Sequence, residues 1–263
     1  MFVSGLGEAG AVWDLVIDWL PAGTPTFTYD RAGCGDSGTL DAADLGQARS
    51  VQWGAKQLAM LLEAAEVKGP WILVGHSIGG LIVDALARSW PEQVAGLVLV
   101  DATDPALHGI LDDPEEILVD GREGEGWQIS MAATLAEFEP GPKHKIDTLV
   151  IGSAQWRWLR VKDPAPYRPL TLIEVDQRWH RHQLDLAARW SGHLIVAHTA
   201  GHRVHEEAPR LVAHATRTLI TAVLEQKAPR PDQEALVRNG GTVRLDATGA
   251  TLAEWSPTGP RNS

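Results

Sequence analysis

Apolar residues in this chain fall into two kinds of run that alternate. The first kind is short and continuous: Trp71-Ile72-Leu73-Val74, Gly96-Leu97-Val98-Leu99-Val100, Ile146 to Ile151 and His193 to His198. Unbroken runs of this length predict strands buried on both faces, as in a parallel sheet. The second kind is spaced by three and four. Ala48, Val51, Ala55, Leu58, Leu62 and Ala65 form one stripe, which predicts a helix over Gln47 to Glu66. Leu81 to Trp90 reads as a second helix, stopped by Pro91. Trp179 to Trp190 reads as a third, with Leu184, Ala187 and Ala188 on one side. Pro209 opens a fourth, with Val212, Ala215, Leu219 and Val223 inward. Strands alternating with helices predict an α/β fold: a mostly parallel sheet with helices on both faces.

The first residues follow the same logic. Phe2-Val3 is a strand stub, Val12 to Leu20 a helix ended by Pro21, and Pro25 to Tyr29 a short strand. Residues 102–145 break the alternation. Asp112-Asp113-Pro114-Glu115-Glu116 reads as a solvated helix start, and Trp127, Met131, Leu135 and Phe138 as the stripe of a further helix. Ser153 to Ser191 begins irregularly, with Trp156-Arg157-Trp158-Leu159 followed by Pro164, Pro166 and Pro169. Beyond residue 224 comes a tail. Ala228-Pro229-Arg230-Pro231 reads as a linker. Ala235 to Arg238 and Thr242 to Asp246 read as strands around Asn239-Gly240-Gly241, a hairpin signal, and Thr251 to Trp255 as an extension or third strand.

The chemistry centres on Gly75-His76-Ser77-Ile78-Gly79-Gly80, between the Trp71 strand and the Leu81 helix. Gly-x-Ser-x-Gly at a strand-to-helix junction is a nucleophile elbow. The tight turn strains the serine backbone and lifts its hydroxyl clear at the carboxyl end of the sheet. A serine hydroxyl is a poor nucleophile at neutral pH and needs a base, which in turn needs an orienting group. Among ten histidines, His202 fits best: it follows the last core strand, after Gly201, on the edge where Ser77 stands. His76 adjoins Ser77 and should diverge from it. His193 and His198 lie in a strand, and His205 and His214 read as surface or helix-face residues. His180 and His182 raise a metal reading, but no spaced Cys or carboxylate partner supports it.

Several segments together resemble the α/β-hydrolase family. They are Val74 to Gly80, the loop Tyr29 to Gly38, the histidine loop Ala200-Gly201-His202, and Ser4-Gly5-Leu6-Gly7, which resembles the family's oxyanion loop with serine where histidine is commoner. The resemblance spans residues 3 to about 224. It implies a triad acid after one of two strands. The loop after Ile151 begins without a carboxylate, whereas Asp101 ends the preceding strand, so Asp101 is preferred, with Asp104 and Asp163 in reserve. It implies an oxyanion hole from the Ile78 and Leu6 amides, with Asp30 and Arg31 pairing locally to brace loops. It implies a cap at 102–145 inserted in a single domain, 1–263. Trp127, Trp156 and Trp158 themselves suggest an apolar, aromatic-lined substrate wall.

The implied activity is cleavage of a carboxylic ester or lactone by a serine hydrolase through an acyl-enzyme. His202 takes the Ser77 proton, and water later releases the acid; no cofactor is implied. Perhydrolysis, amide or C–C bond cleavage, and ligand binding without turnover stay open as alternatives. The family's sheet also begins with two strands that have no counterpart before Ser4. The reading is therefore a circular permutant, in which residues 228–263 supply the missing hairpin beside Pro25 to Tyr29, and Gly259 to Ser263 lead back toward Phe2.

Composition narrows the partners. The formal net charge of −11 disfavours nucleic acid and anionic membrane surfaces. No apolar run approaches the ~18 residues of a membrane span. The single cysteine, Cys34, excludes an intrachain disulfide and fits the cytoplasm. Cys34 itself reads as a bystander. The expected partner is a small apolar acyl compound. Oligomeric state is not legible.

Overall fold

The computed structural model describes residues 1–111, 117–122, 124–137 and 145–245. Its main sheet contains β1 (Phe2–Val3), β3 (Trp71–His76), β4 (Val94–Val100), β7 (Thr148–Gly152), β8 (His193–Ala197) and β9 (Gly241–Leu245). They stand side by side in the order β1-β3-β4-β7-β8-β9. The first five are parallel, and β9 runs antiparallel to β8. A small second sheet holds β2 (Ala48–Arg49), β5 (Ile117–Val119) and β6 (Gln128–Ser130), with β6 in the middle.

Each central strand is buried on both faces, which is why its sequence shows no polar alternation. Leu73, Leu97 and Leu99 point to one side, into a core with the Val51–Ala64 and Ile78–Ser89 helices. Val74, Val98 and Val100 point to the other, against the Pro209–Glu225 helix. Both layers lock the carboxyl ends of β3, β4 and β8 in fixed relation, and the loops at those ends carry the candidate site. The fold is thus the expected α/β arrangement.

Four local expectations are corrected. Pro25 to Tyr29 is not a strand: Phe27 accepts one bond from the Phe2 amide at 2.9 Å, but β1 is only two residues long and offers no ladder. The 47–66 helix starts at Val51, because Ala48 and Arg49 pair with β6 instead. Trp127 is not on a helix either. It precedes β6, whose half-buried Gln128 and Ser130 flank buried Ile129 with the period-two pattern of a strand. The helix that follows is Met131–Ala136, where Leu135 is exposed. The described part of residues 102–145 is therefore strand and helix rather than helical throughout; Asp112 to Glu116 and Phe138 lie outside the described residues.

The tail also departs from expectation. Ala235 to Arg238 belongs to a helix, Gln233–Arg238, because Asp232 caps it by accepting from the Glu234 and Ala235 amides at 2.9 and 3.2 Å. Only β9 is a strand, and it pairs with β8 at the edge opposite β1. β9 at that edge does not fill the place beside β1 that the permutant reading gives it. Thr251 to Trp255 and Gly259 to Ser263 lie outside the described residues.

Candidate active site

Ser77 sits between β3 and the Ile78–Ser89 helix with φ 54° and ψ −122°. A non-glycine residue in this region carries about 1–3 kcal/mol of strain. The neighbours explain how the turn closes. A Cβ on Gly75 would strike the Gly79 carbonyl, and one on Gly79 would strike the carbonyls of Val3 and Ser4. Glycine at both positions lets strand, helix and β1 approach within backbone contact. Ser77 is buried to 7% exposure, with its Oγ 3.1 Å from Thr103 Oγ1.

The structure brings Ser77, His202 and Asp101 into one hydrogen-bonded line. His202 Nε2 is 2.9 Å from Ser77 Oγ, and His202 Nδ1 is 2.7 Å from Asp101 Oδ2. A carboxylate only accepts, so Nδ1 carries the proton. Nε2 is then the bare nitrogen and accepts the serine hydroxyl. Asp104 and Asp163 stand elsewhere: Asp104 caps the Pro105–His108 helix through the Ala106 amide, and exposed Asp163 accepts from Ala165.

Asp101 ends β4 at φ 43° and is fully buried. Its Oδ1 accepts from the Ser153 amide and from the Trp179 indole, both at 2.8 Å. Arg157 Nη2 lies 3.3 Å from Oδ2. Burial alone would raise this carboxyl's pKa. The Arg157 charge and the bond to His202 outweigh it and hold the group well below the usual carboxylate range. For His202 the largest effect is burial, which lowers the imidazole below 6.5, while Asp101 pulls the other way. The Arg157 guanidinium is itself held over the Trp158 and Trp179 rings, 4.0 and 4.8 Å from their centroids.

The loop Ser4 to Gly7 faces Ser77 across a cavity of about 680 Å³. Leu6 and Ile78 both line it, beside Ser77 and His202. The loop is tied down on either side of Leu6. The Gly5 amide donates to Glu8 at 2.8 Å and the Gly7 amide to Asp120 Oδ1 at 2.7 Å. Arg31 does not pair with Asp30. Its guanidinium instead donates to the carbonyls of Ser4 and Gly5 and to Asp120, from the segment between β4 and β7. Asp30 accepts from the Gly10 and Asp36 amides. Both residues brace loops as expected, but with separate partners.

The three tryptophans divide. Trp158 lines the cavity together with Trp179, Leu107, Leu118 and Tyr167. Trp156 is half-buried with φ 67° and does not line it. Trp127 is buried in the core, against Gly54 and Trp53, away from the cavity. Its ring fills the notch left by the missing Gly54 side chain, so it acts as packing. The histidines divide too. His76 turns from Ser77, and its Nε2 lies 2.9 Å from the His202 carbonyl oxygen. His205 is fully buried rather than on the surface. Cys34 is buried, its thiol pushed up to about 11 by burial and by Asp120, which keeps it protonated and unreactive.

Trp179, Arg157, Thr103 and Asp120 were not legible as site residues. No local motif marks them. They reach the site from four separate segments, and only the folded chain shows it.

Comparison with known proteins follows the same lines. The model of the Alpha/beta hydrolase family matches residues 1–215. YqjL of Bacillus subtilis, described as an uncharacterized protein, is 27% identical over 235 residues, 87% of this chain and 86% of its own length. An esterase of Mycobacterium tuberculosis is 27% identical over 250 residues, 84% of this chain and 82% of its own. Among solved structures, a thermophilic esterase from Thermogutta terrifontis superposes with TM-score 0.55 at 20% identity, covering 84% of this chain and 89% of that one. At such identity the likeness is one of fold.

Proposed function

This chain belongs to the alpha/beta hydrolase family, and on that premise we propose that it is a serine hydrolase of carboxylic esters or lactones. The observation that carries the reading is the continuous line Asp101–His202–Ser77, with separations of 2.7 and 2.9 Å. His202 takes the hydroxyl proton as Ser77 Oγ attacks the ester carbonyl. The Ile78 and Leu6 amides donate hydrogen bonds to the developing oxyanion, each worth roughly 3 kcal/mol. The alcohol leaves with the proton from His202. A water molecule then gives a proton to His202 and attacks the acyl-enzyme; His202 passes that proton to Ser77 Oγ as the acyl–oxygen bond breaks and the acid leaves. The cavity wall of Trp158, Trp179, Leu107, Leu118 and Tyr167 favours an apolar acyl or alkoxy group. Esterase activity in the Mycobacterium tuberculosis relative supports the same reaction class. A complete triad speaks against a binder that has lost turnover. The single cysteine fits a reducing compartment such as the cytoplasm.

The test is labelling and turnover together. A fluorophosphonate should modify the wild-type protein at Ser77 and leave Ser77→Ala unlabelled. A series of p-nitrophenyl esters graded by acyl length should be hydrolysed by the wild type. Ser77→Ala should lose roughly 10⁴-fold or more in kcat while remaining folded. Near wild-type hydrolysis by Ser77→Ala would refute the reading.

A further inference from the structure

Behind the histidine loop lies a cluster that the hydrolysis of an ester does not use. Glu8 Oε2, a His76 ring nitrogen and a His205 ring nitrogen all lie within 4.8 Å of one another. We infer that Glu8, His76 and His205 form a binding site for a divalent transition-metal ion of the zinc class. Four observations carry this.

The first is spacing. His76 Nδ1 is 3.1 Å and His205 Nε2 3.7 Å from Glu8 Oε2. Zinc bonds of about 2.0–2.1 Å put tetrahedral ligand atoms roughly 3.3 Å apart, between these two values. Two imidazoles and a carboxylate are a donor set that zinc favours, with a fourth position left for water.

The second is the tautomer of His76. Its Nε2 lies 2.9 Å from the His202 carbonyl oxygen, which can only accept. Nε2 therefore carries hydrogen, and in the neutral ring Nδ1 is a bare lone pair aimed at a carboxylate. In that neutral form two acceptors face each other at 3.1 Å, and either a second proton on His76 or a metal ion between them satisfies both. A ligating histidine whose other nitrogen donates to a backbone carbonyl is the arrangement that fixes a metal ligand.

The third is His205. It is fully buried, yet neither ring nitrogen has a hydrogen-bond partner. A buried imidazole without a hydrogen bond costs folding free energy that a bound ion would recover. The fourth is room. A Cβ on Gly5 would lie 2.7 Å from both Glu8 Oε2 and His76 Nδ1, so only glycine lets the backbone come this close, and its amide donates to Oε2 at 2.8 Å, which leaves that oxygen a further lone pair for an ion. Glu8 and His76 line the cavity, which gives an ion a route in. Arg203 engages the other Glu8 oxygen, Oε1, at 3.3 Å and leaves Oε2 facing the imidazoles.

Cobalt(II) tests this without reference to turnover. Chelator-stripped Ser77→Ala protein, titrated with Co²⁺, should bind one equivalent and develop the visible ligand-field bands of a four-coordinate site. Zn²⁺ should bleach them. Glu8→Gln and His205→Gln should each weaken Co²⁺ binding by roughly 100-fold, and His198→Gln, remote from the cluster, should not change it. Should His205→Gln fail to fold by circular dichroism, Glu8→Gln at the cavity wall carries the test. Absent bands, octahedral-type bands only, or equal binding in Glu8→Gln and wild type would overturn the site and point to a protonated His76 paired with Glu8. Because the titration uses Ser77→Ala, its failure leaves the hydrolase reading untouched, and the phosphonate experiment leaves this one untouched.

Discussion

Arg31 and Asp120, 89 positions apart, meet in a buried two-point pair: Nε to Oδ2 at 2.5 Å and Nη2 to Oδ1 at 3.0 Å. Around this pair the backbone of Ser4 to Gly7 is fixed, since Arg31 holds the Ser4 and Gly5 carbonyls and Asp120 holds the Gly7 amide. The segment between β4 and β7 is thus joined to the loop that faces Ser77. Asp120→Ala strands a guanidinium that is 9% exposed, and removing one partner of a buried pair costs about 3–5 kcal/mol. The urea midpoint should fall accordingly, and kcat should drop more than KM changes, because the Leu6 amide loses its aim. Arg31→Lys should show the same kinetic pattern, since one ammonium cannot serve four acceptors in a plane. Unchanged kcat in both variants would mean that the loop holds its shape unaided.

Asp101→Asn should keep substrate binding and lose roughly 10⁴-fold in kcat. The amide that replaces Oδ2 can no longer accept from Nδ1 as an anion, and His202 loses both its tautomer and its charge partner. Trp179→Phe removes only one of the two bonds to Oδ1 and should cost far less, at roughly tenfold or under. If Trp179→Phe proved as damaging as Asp101→Asn, the indole would be acting on substrate rather than on the carboxylate. Single-turnover kinetics with a p-nitrophenyl ester separates the two.

The acid limb of kcat/KM should lie below pH 6.5. In the proposed role of base His202 must be neutral, and burial lowers its pKa from 6.5, so the neutral form persists to lower pH than for a free imidazole. Activity is therefore present above the limb and lost as pH falls through it. Arg157 contributes to the lowering, so Arg157→Gln should move the limb upward. A limb above 7 in the wild type, or one that Arg157→Gln shifts down, would contradict this electrostatic account.

Removing residues 228–263 should yield insoluble protein. The deletion uncovers the β8 edge, together with the seats of buried Leu236 and Val243. An unpaired apolar edge strand is a template for aggregation. A soluble, monomeric truncation by size exclusion would show that β8 tolerates exposure.

Much of this protein follows from local pattern. Continuous apolar runs mark β3, β4, β7 and β8 because parallel strands bury both faces, and period-2 polarity would be wasted there. Ser77 is legible because an elbow needs small residues at fixed offsets, so Gly75 and Gly79 appear in sequence as spacing. His202 stands out as the residue that follows the last core strand after a glycine, whereas Asp101 is singled out by the resemblance, which places an acid after one of two strands. Tertiary structure decided what no offset encodes. Asp232 turned Ala235 to Arg238 into a helix by capping it, against a strong hairpin signal. The open edge of β8, not the edge at β1, captured β9, because pairing is chosen by proximity in the folded chain. Trp127 went to the Gly54 notch and Trp179 to the Asp101 carboxylate, although both are simply apolar rings in sequence. The partners of Arg31, Glu8 and His205 are likewise long-range. Electrostatic and hydrogen-bond pairing acts over a few ångströms of space, whatever the distance along the chain, and that is why only the fold could assign it.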